Sequence, residues 1–142
     1  MLFRSMRQLQ LPMQAIEQMF RRMVFNIVAR NQDDHVKNIA FLMDQSGVWS
    51  LSPAYDVTYS YNPSGAWTSA HQMSLNGKRD SFDLKDFETC AKGASMKRGR
   101  AEEILREVHN AVRKWEEFAD DAGVPSQLAS RIAEAHRTEI LS

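Results

Sequence analysis

The stretch PMQAIEQMFRRMVFNIVARN, residues 12–31, restricts the possible folds of this chain more than any other. Ile16, Met19, Phe20, Met23, Val24, Ile27 and Val28 follow the i, i+3, i+4, i+7, i+8, i+11, i+12 repeat that gathers side chains on one face of an α-helix. A stripe that wide has to be covered by other elements, so the helix belongs to a core and not to a linker. Pro12 is compatible with the helix start, where a missing N–H leaves no hydrogen bond unmade.

The remaining chain supplies elements to cover it. IAFLM and VWSL, two short apolar runs on either side of the turn residues DQSG, predict a β-hairpin. Regular structure stops at Pro53, and Thr58 to His71 has no period, which predicts a functional or mobile loop. QMSLNGK is a candidate short strand, and Asp83 is placed to cap a short helix ending near Gly93. Ile104, Leu105, Val108, Ala111, Val112, Trp115, Phe118, Ala119 and Ala122 predict a long second helix that stops at Gly123. Pro125 and Ser126 open a last helix carrying Leu128, Ile132 and Ala135. The expected class is mainly α (α+β) with one small hairpin, and Trp115 and the methionines of the stripes are expected in the core.

Composition narrows the function classes. A chain of 142 residues is the size of one domain and buries roughly 70% of its unfolded surface. Eighteen basic and eighteen acidic residues cancel, so no global field draws in nucleic acid or an anionic membrane. The one basic run, Lys92 to Arg100, reads as a solvated helix start beside Glu102 and Glu103. A single cysteine, Cys90, leaves no internal disulfide and no cysteine-based zinc framework, which points to a reducing cytoplasm. Charges interrupt every apolar stretch well short of the ~18 residues of a membrane span, and no secretion-signal pattern stands at the N-terminus.

Candidate chemistry is concentrated in RNQDDHVKNIAFL, residues 30–42. Asp33 and Asn38 stand in the D-x-x-x-x-N spacing of phosphoryl-transfer enzymes, in which the aspartate accepts the proton of the hydroxyl nucleophile and the asparagine ligates magnesium. Taken singly, each residue is equally suited to closing an Asx turn. The hairpin brings Asp56, at the end of LSPAYD, back towards Asn38, so the oxygens of Asp33, Asn38 and Asp56 are expected at one pocket. His71, His109 and His136 have no partner at metal-ligand spacing, and His109 and His136 are expected as surface or half-buried helix residues.

RNQDDHVKNIAFL followed by GVWSLSPAYDVT resembles the C-terminal lobe of the HipA-type serine/threonine kinases, the toxins of bacterial toxin–antitoxin pairs. The likeness is specific over about residues 15–60 and looser from MSLNGKRDSFDL through the Trp115 helix; the whole of 1–142 is expected as one lobe, with a helical subdomain at about 83–142. It implies an ATP- and Mg2+-dependent kinase. Asp33 matches the catalytic aspartate, Asn38 the metal-binding asparagine, and Asp56 the metal-binding aspartate that corresponds to that of the DFG motif. His35 falls where the family's histidine lies near the phosphates, and Lys37 points towards phosphate or solvent. Asp34 stands where relatives often carry a small residue and is expected as a surface or structuring carboxylate.

The resemblance also implies partners: a protein substrate such as an aminoacyl-tRNA synthetase, an antitoxin, contact with nucleic acid only through that antitoxin, and an N-terminal lobe carrying the phosphate-binding lysine. No such lobe precedes Met13, and the chain has no Gly-rich phosphate loop. The expectation is therefore a lobe inactive without its complement. Two rivals are a non-catalytic module that binds an antitoxin or a complementary chain, and a metal-dependent phosphohydrolase built on Asp33, His35 and Asp56.

Overall fold

All seven positions of the stripe from Ile16 to Val28 are buried in the computed structural model, which describes residues 2–141. The elements run α1 (Leu2–Gln8), α2 (Met13–Val28), a single 3₁₀ turn (Val36–Asn38), β1 (Phe41–Met43), β2 (Trp49–Leu51), α3 (Leu84–Gly93), α4 (Arg100–Val112), α5 (Trp115–Asp121) and α6 (Ser126–Ala135). The chain is thus mainly helical with one small antiparallel ribbon, as its patterning predicts. No described helix is long and apolar enough to cross a membrane.

Helix α2 packs on α4, and α4 in turn packs on α3. Ile104, Leu105, Val108 and Val112 of α4 meet the α2 stripe, Phe87 and Ala91 of α3 extend the core, and Leu75 and Phe82 close it from the connecting loop. Arg100 bonds Glu17 at 3.0 Å and Arg21 bonds Glu107 at 2.6 Å across the α2–α4 seam. Pairs exposed to this extent contribute little, so apolar burial holds the two helices together. Helix α1, which no sequence pattern announced, is too short to persist alone and is held by the burial of Met6.

The hairpin pairs Phe41 with Leu51, Leu42 with Ser50 and Met43 with Trp49. Its turn closes because Asp44 Oδ1 accepts the N–H groups of Ser46 (2.8 Å) and Val48 (2.9 Å), while Gly47 takes the left-handed conformation. Helix α3 starts on the expected Asp83. The Asp83 carboxylate accepts the Asp86 N–H at 3.1 Å, and Asp86 accepts the Asp83 N–H at 3.0 Å, a reciprocal capping box.

Three expectations are corrected. The run QMSLNGK is not a strand: Leu75 and Lys78 exchange two 2.9 Å bonds around Asn76-Gly77, both at positive φ, a tight turn with no ladder beyond it. The long second helix is two, parting at Arg113–Lys114 although no glycine or proline stands there. Helix α5 redirects so that Trp115 donates to the Ala129 carbonyl at 2.9 Å and Ala119 is buried, leaving Phe118 exposed; packing of α5 on α6 overrides the continuous stripe. Trp115 is accordingly half-buried. Finally, His109 is not a surface residue of α4 but is buried, as is His71 in the connecting loop.

Two outcomes follow for stability. Phe20→Ala should cost about 3–5 kcal/mol in chemical denaturation, and Trp115→Ala only about 2, because much of the indole already meets solvent. Burial holds the His109 imidazole below its usual 6.5, and its Nε2 has no partner among the described residues. On acidification the unfolded chain therefore takes up a proton that the folded chain resists, so this stability is full above 6.5 and drains as pH falls below it. Tm should drop as pH falls below about 6.5, and His109→Leu should flatten that part of the profile.

Candidate active site

Helix α2 delivers the polar loop by an abrupt stop. Arg30 adopts a left-handed φ of 60°, and the Asn31 N–H turns back to the Asn26 carbonyl at 2.9 Å, the bond pattern of a Schellman cap formed without glycine. The strain is held by the Arg30 side chain, which donates to the Ala135 carbonyl at 2.7 Å and lies 4.2 Å from the centroid of the Tyr61 ring. Asn31 is buried between the two parts of the site: its Nδ2 donates to Asn26 Oδ1 at 3.1 Å and to the Asp56 carbonyl at 3.5 Å.

Beyond Asn31 the loop has no regular ladder, so side chains take the place of one. Ser60 Oγ accepts the N–H groups of Gln32 (2.8 Å) and Asp33 (3.0 Å) and donates to Asn31 Oδ1 at 3.3 Å. Asp34 turns inward: Oδ1 accepts the N–H groups of Gln72 (2.7 Å) and Met73 (3.2 Å), and Oδ2 lies 2.7 Å from His71 Nδ1. Behind that ring, Arg137 Nη1 lies 3.2 Å from His71 Nε2. Arginine only donates, so Nε2 accepts and the ring proton sits on Nδ1, directed at Asp34. Asp34 is thus the structuring carboxylate and not a surface one.

The second strand of the site is aimed by the hairpin. Arg22 of α2 donates to the Ser52 carbonyl at 2.7 Å, and the Ser52 N–H donates to the Ala40 carbonyl at 3.0 Å, which fixes the ribbon's root. The Tyr55 hydroxyl then donates to the Lys37 carbonyl at 2.7 Å, tying the residue before Asp56 to the residue before Asn38. Asp56 itself is held at φ 52°, the left-handed region that Asp enters more readily than most residues with a Cβ.

Asn38, Asp56 and His35 line one open groove of ≈ 1260 Å³ whose apolar wall includes Met19, Met23, Phe41, Met73 and Leu75. Asn38 Nδ2 is committed to the Asp33 carbonyl at 3.0 Å, which leaves Oδ1 as its free acceptor. The Asp56 carboxylate is exposed and has no hydrogen-bond donor among the described residues. A carboxamide oxygen and a carboxylate are hard oxygen donors of the kind magnesium accepts. Among the described residues, no three His, Cys, Asp or Glu side chains gather as a metal nest, the kind of set the phosphohydrolase reading needs.

The other expected residues stand apart from this pair. Asp33 does not line the groove; its side chain is 45% exposed, with Oδ1 3.8 Å from His35 Nε2, beyond hydrogen-bond length. Lys37 is exposed and contributes its carbonyl to Tyr55. Cys90 also lines the groove, where burial pushes its thiol up to about 11 and keeps it un-ionised. Sequence reasoning passed over Ser60 and Tyr55 and set His71 aside; Tyr55 stands inside LSPAYD, and Ser60 and His71 arrive from elsewhere in the chain with no motif spacing to mark them.

A comparison with curated proteins returned no match. The sequence does match the family described as HipA-like C-terminal domain over residues 1–140, a span that includes α1 and every element of the groove. With the match running through both loops of the site and all six helices, the chain belongs to the HipA-like C-terminal domain family.

Proposed function

We propose that the chain is the C-terminal catalytic lobe of an ATP-dependent serine/threonine protein kinase of the HipA toxin type. The observation that carries this reading is that Asn38 and Asp56 line one groove, on loops tied together by the Tyr55–Lys37 bond. Membership of the family supports it at the level of the lobe.

In this reading Asp33 orients the substrate hydroxyl and accepts its proton. Partial exposure suits it to that task, because a protein substrate has to reach it from solvent. Asn38 and Asp56 would hold Mg2+, which supplies charge neutralisation to the transferring phosphoryl group. His35 lies on the same groove, within reach of a phosphate chain, and Lys37 at the loop surface is the nearby cation. Catalysis of this kind is mostly positioning and electrostatics, which matches loops whose main chain is tied at Asn31, Ser60 and Tyr55. The groove presents one wall of a nucleotide cleft, and we assign the facing wall to an N-terminal kinase lobe. An antitoxin is the expected regulatory partner and a protein the expected substrate.

Two measurements test the proposal. In the complete kinase, Asp33→Ala and Asp56→Asn should each abolish phosphate transfer while shifting Tm little, since both side chains are exposed or half-exposed and bury no apolar surface. Asp33→Ala that destabilised the chain as much as Phe20→Ala would reassign Asp33 to structure. Calorimetry on the isolated chain should give Mg-ATP dissociation constants of about a millimolar or weaker, because a cleft with one wall leaves the base in water. Adding the N-terminal lobe in trans should tighten binding and restore transfer; tight binding with no transfer in that complex would favour the non-catalytic module.

A further inference from the structure

We propose that His71 is the positioning residue of the Asp33–Asn38 loop, acting through the buried carboxylate of Asp34 and held in one tautomer by Arg137. What this means for catalysis rests on the role proposed for Asp33; the anchoring does not. Asp34 sits between Asp33 and His35, and its side chain is 2% exposed while that of His71 is fully buried. A carboxylate so placed has to be met by protein donors, and all three of its donors belong to residues 71–73, on the far side of the hairpin and the irregular loop.

The other supports around Asp33, the two N–H bonds to Ser60 Oγ and the bond from Asn38 Nδ2 to the Asp33 carbonyl, are weaker neutral contacts. Asp34 is therefore the charged anchor of the loop, and displacing its carboxylate moves the backbone of the residues on both sides of it. Arg137 closes the device from the chain's other end. Its N–H donates to the Val28 carbonyl at 2.9 Å, its guanidinium pairs with Asp80, and its Nη1 selects the His71 tautomer that donates to Asp34. The segment after α6 is thereby joined to the loop that follows α2.

A space-filling role and a positioning role differ in what rescues them. His71→Asn keeps an N–H donor near the Nδ1 position, whereas His71→Leu fills the space without one. Amide hydrogen exchange on the purified chain, with no nucleotide or metal added, reads the difference directly. In His71→Leu, with α2 and α4 still protected, the amides of Gln32, Asp33, Gln72 and Met73 should exchange roughly tenfold faster or more, and His71→Asn should stay within about threefold of the parent. If the leucine variant loses its helices, Arg137→Met provides the same test, with several-fold faster exchange expected at the same four amides. Unchanged exchange there in a folded variant, or an asparagine variant as loose as the leucine one, overturns the proposal. A complete kinase that transfers no phosphate while these amides respond as expected would overturn the role of Asp33 and leave the anchor standing.

Discussion

The side chain of Asp34 is 2% exposed, and that one fact sets the conditions for the loop region. Leaving a carboxylate in such a place unpaired would cost several kcal/mol, so the chain has to bring donors to it. They come from residues 71–73, which lie in sequence beyond the hairpin and the irregular segment. Satisfying Asp34 therefore forces the chain between residues 34 and 71 to leave and return, and the hairpin with its strained exit is how it does so. The same requirement draws in Arg137, because a ring that donates through Nδ1 leaves Nε2 needing a donor.

Around that anchor, the two halves of the candidate site are held by single hydrogen bonds between irregular segments. Tyr55 reaches the Lys37 carbonyl, Asn31 reaches the Asp56 carbonyl, and Ser60 takes the N–H groups of Gln32 and Asp33. None of these contacts buries much apolar surface, so they aim groups more than they stabilise the fold. Stability resides instead in the α2–α4 seam and in Phe87, Leu75 and Phe82 around it. Two residues with a Cβ, Arg30 and Asp56, sit at positive φ at the head and foot of the site, and that seam carries the cost of both.

This division separates the apolar core from the polar loops. The helices supply one wall of the groove, and Asn38 Oδ1 and the Asp56 carboxylate stand beside it on loops, without a hydrogen-bond donor among the described residues. Membership of the HipA-like C-terminal domain family accords with that plan. The half-exposed position of Asp33 leaves its side chain open to a second molecule.

Much of this was legible in the sequence, and for local reasons. The α2 stripe, the turn at Asp44–Gly47, the Asp83 cap and the start of α6 all depend on spacings within a few residues, where periodicity and capping chemistry decide the outcome. Asn38 and Asp56 line the same groove, as a hairpin that returns its ends together allows. What only the tertiary structure decided depends on residues far apart in the chain. Helix α4 ends at Val112 because Trp115 has a carbonyl to reach on α6, and Asn76-Gly77 closes a bare turn because no strand lies beside it to extend the ladder. The burial of Asp34 was hidden for the same reason. Adjacent aspartates look alike in a sequence, and only the arrival of His71 and Arg137 makes one of them an anchor and leaves the other facing solvent.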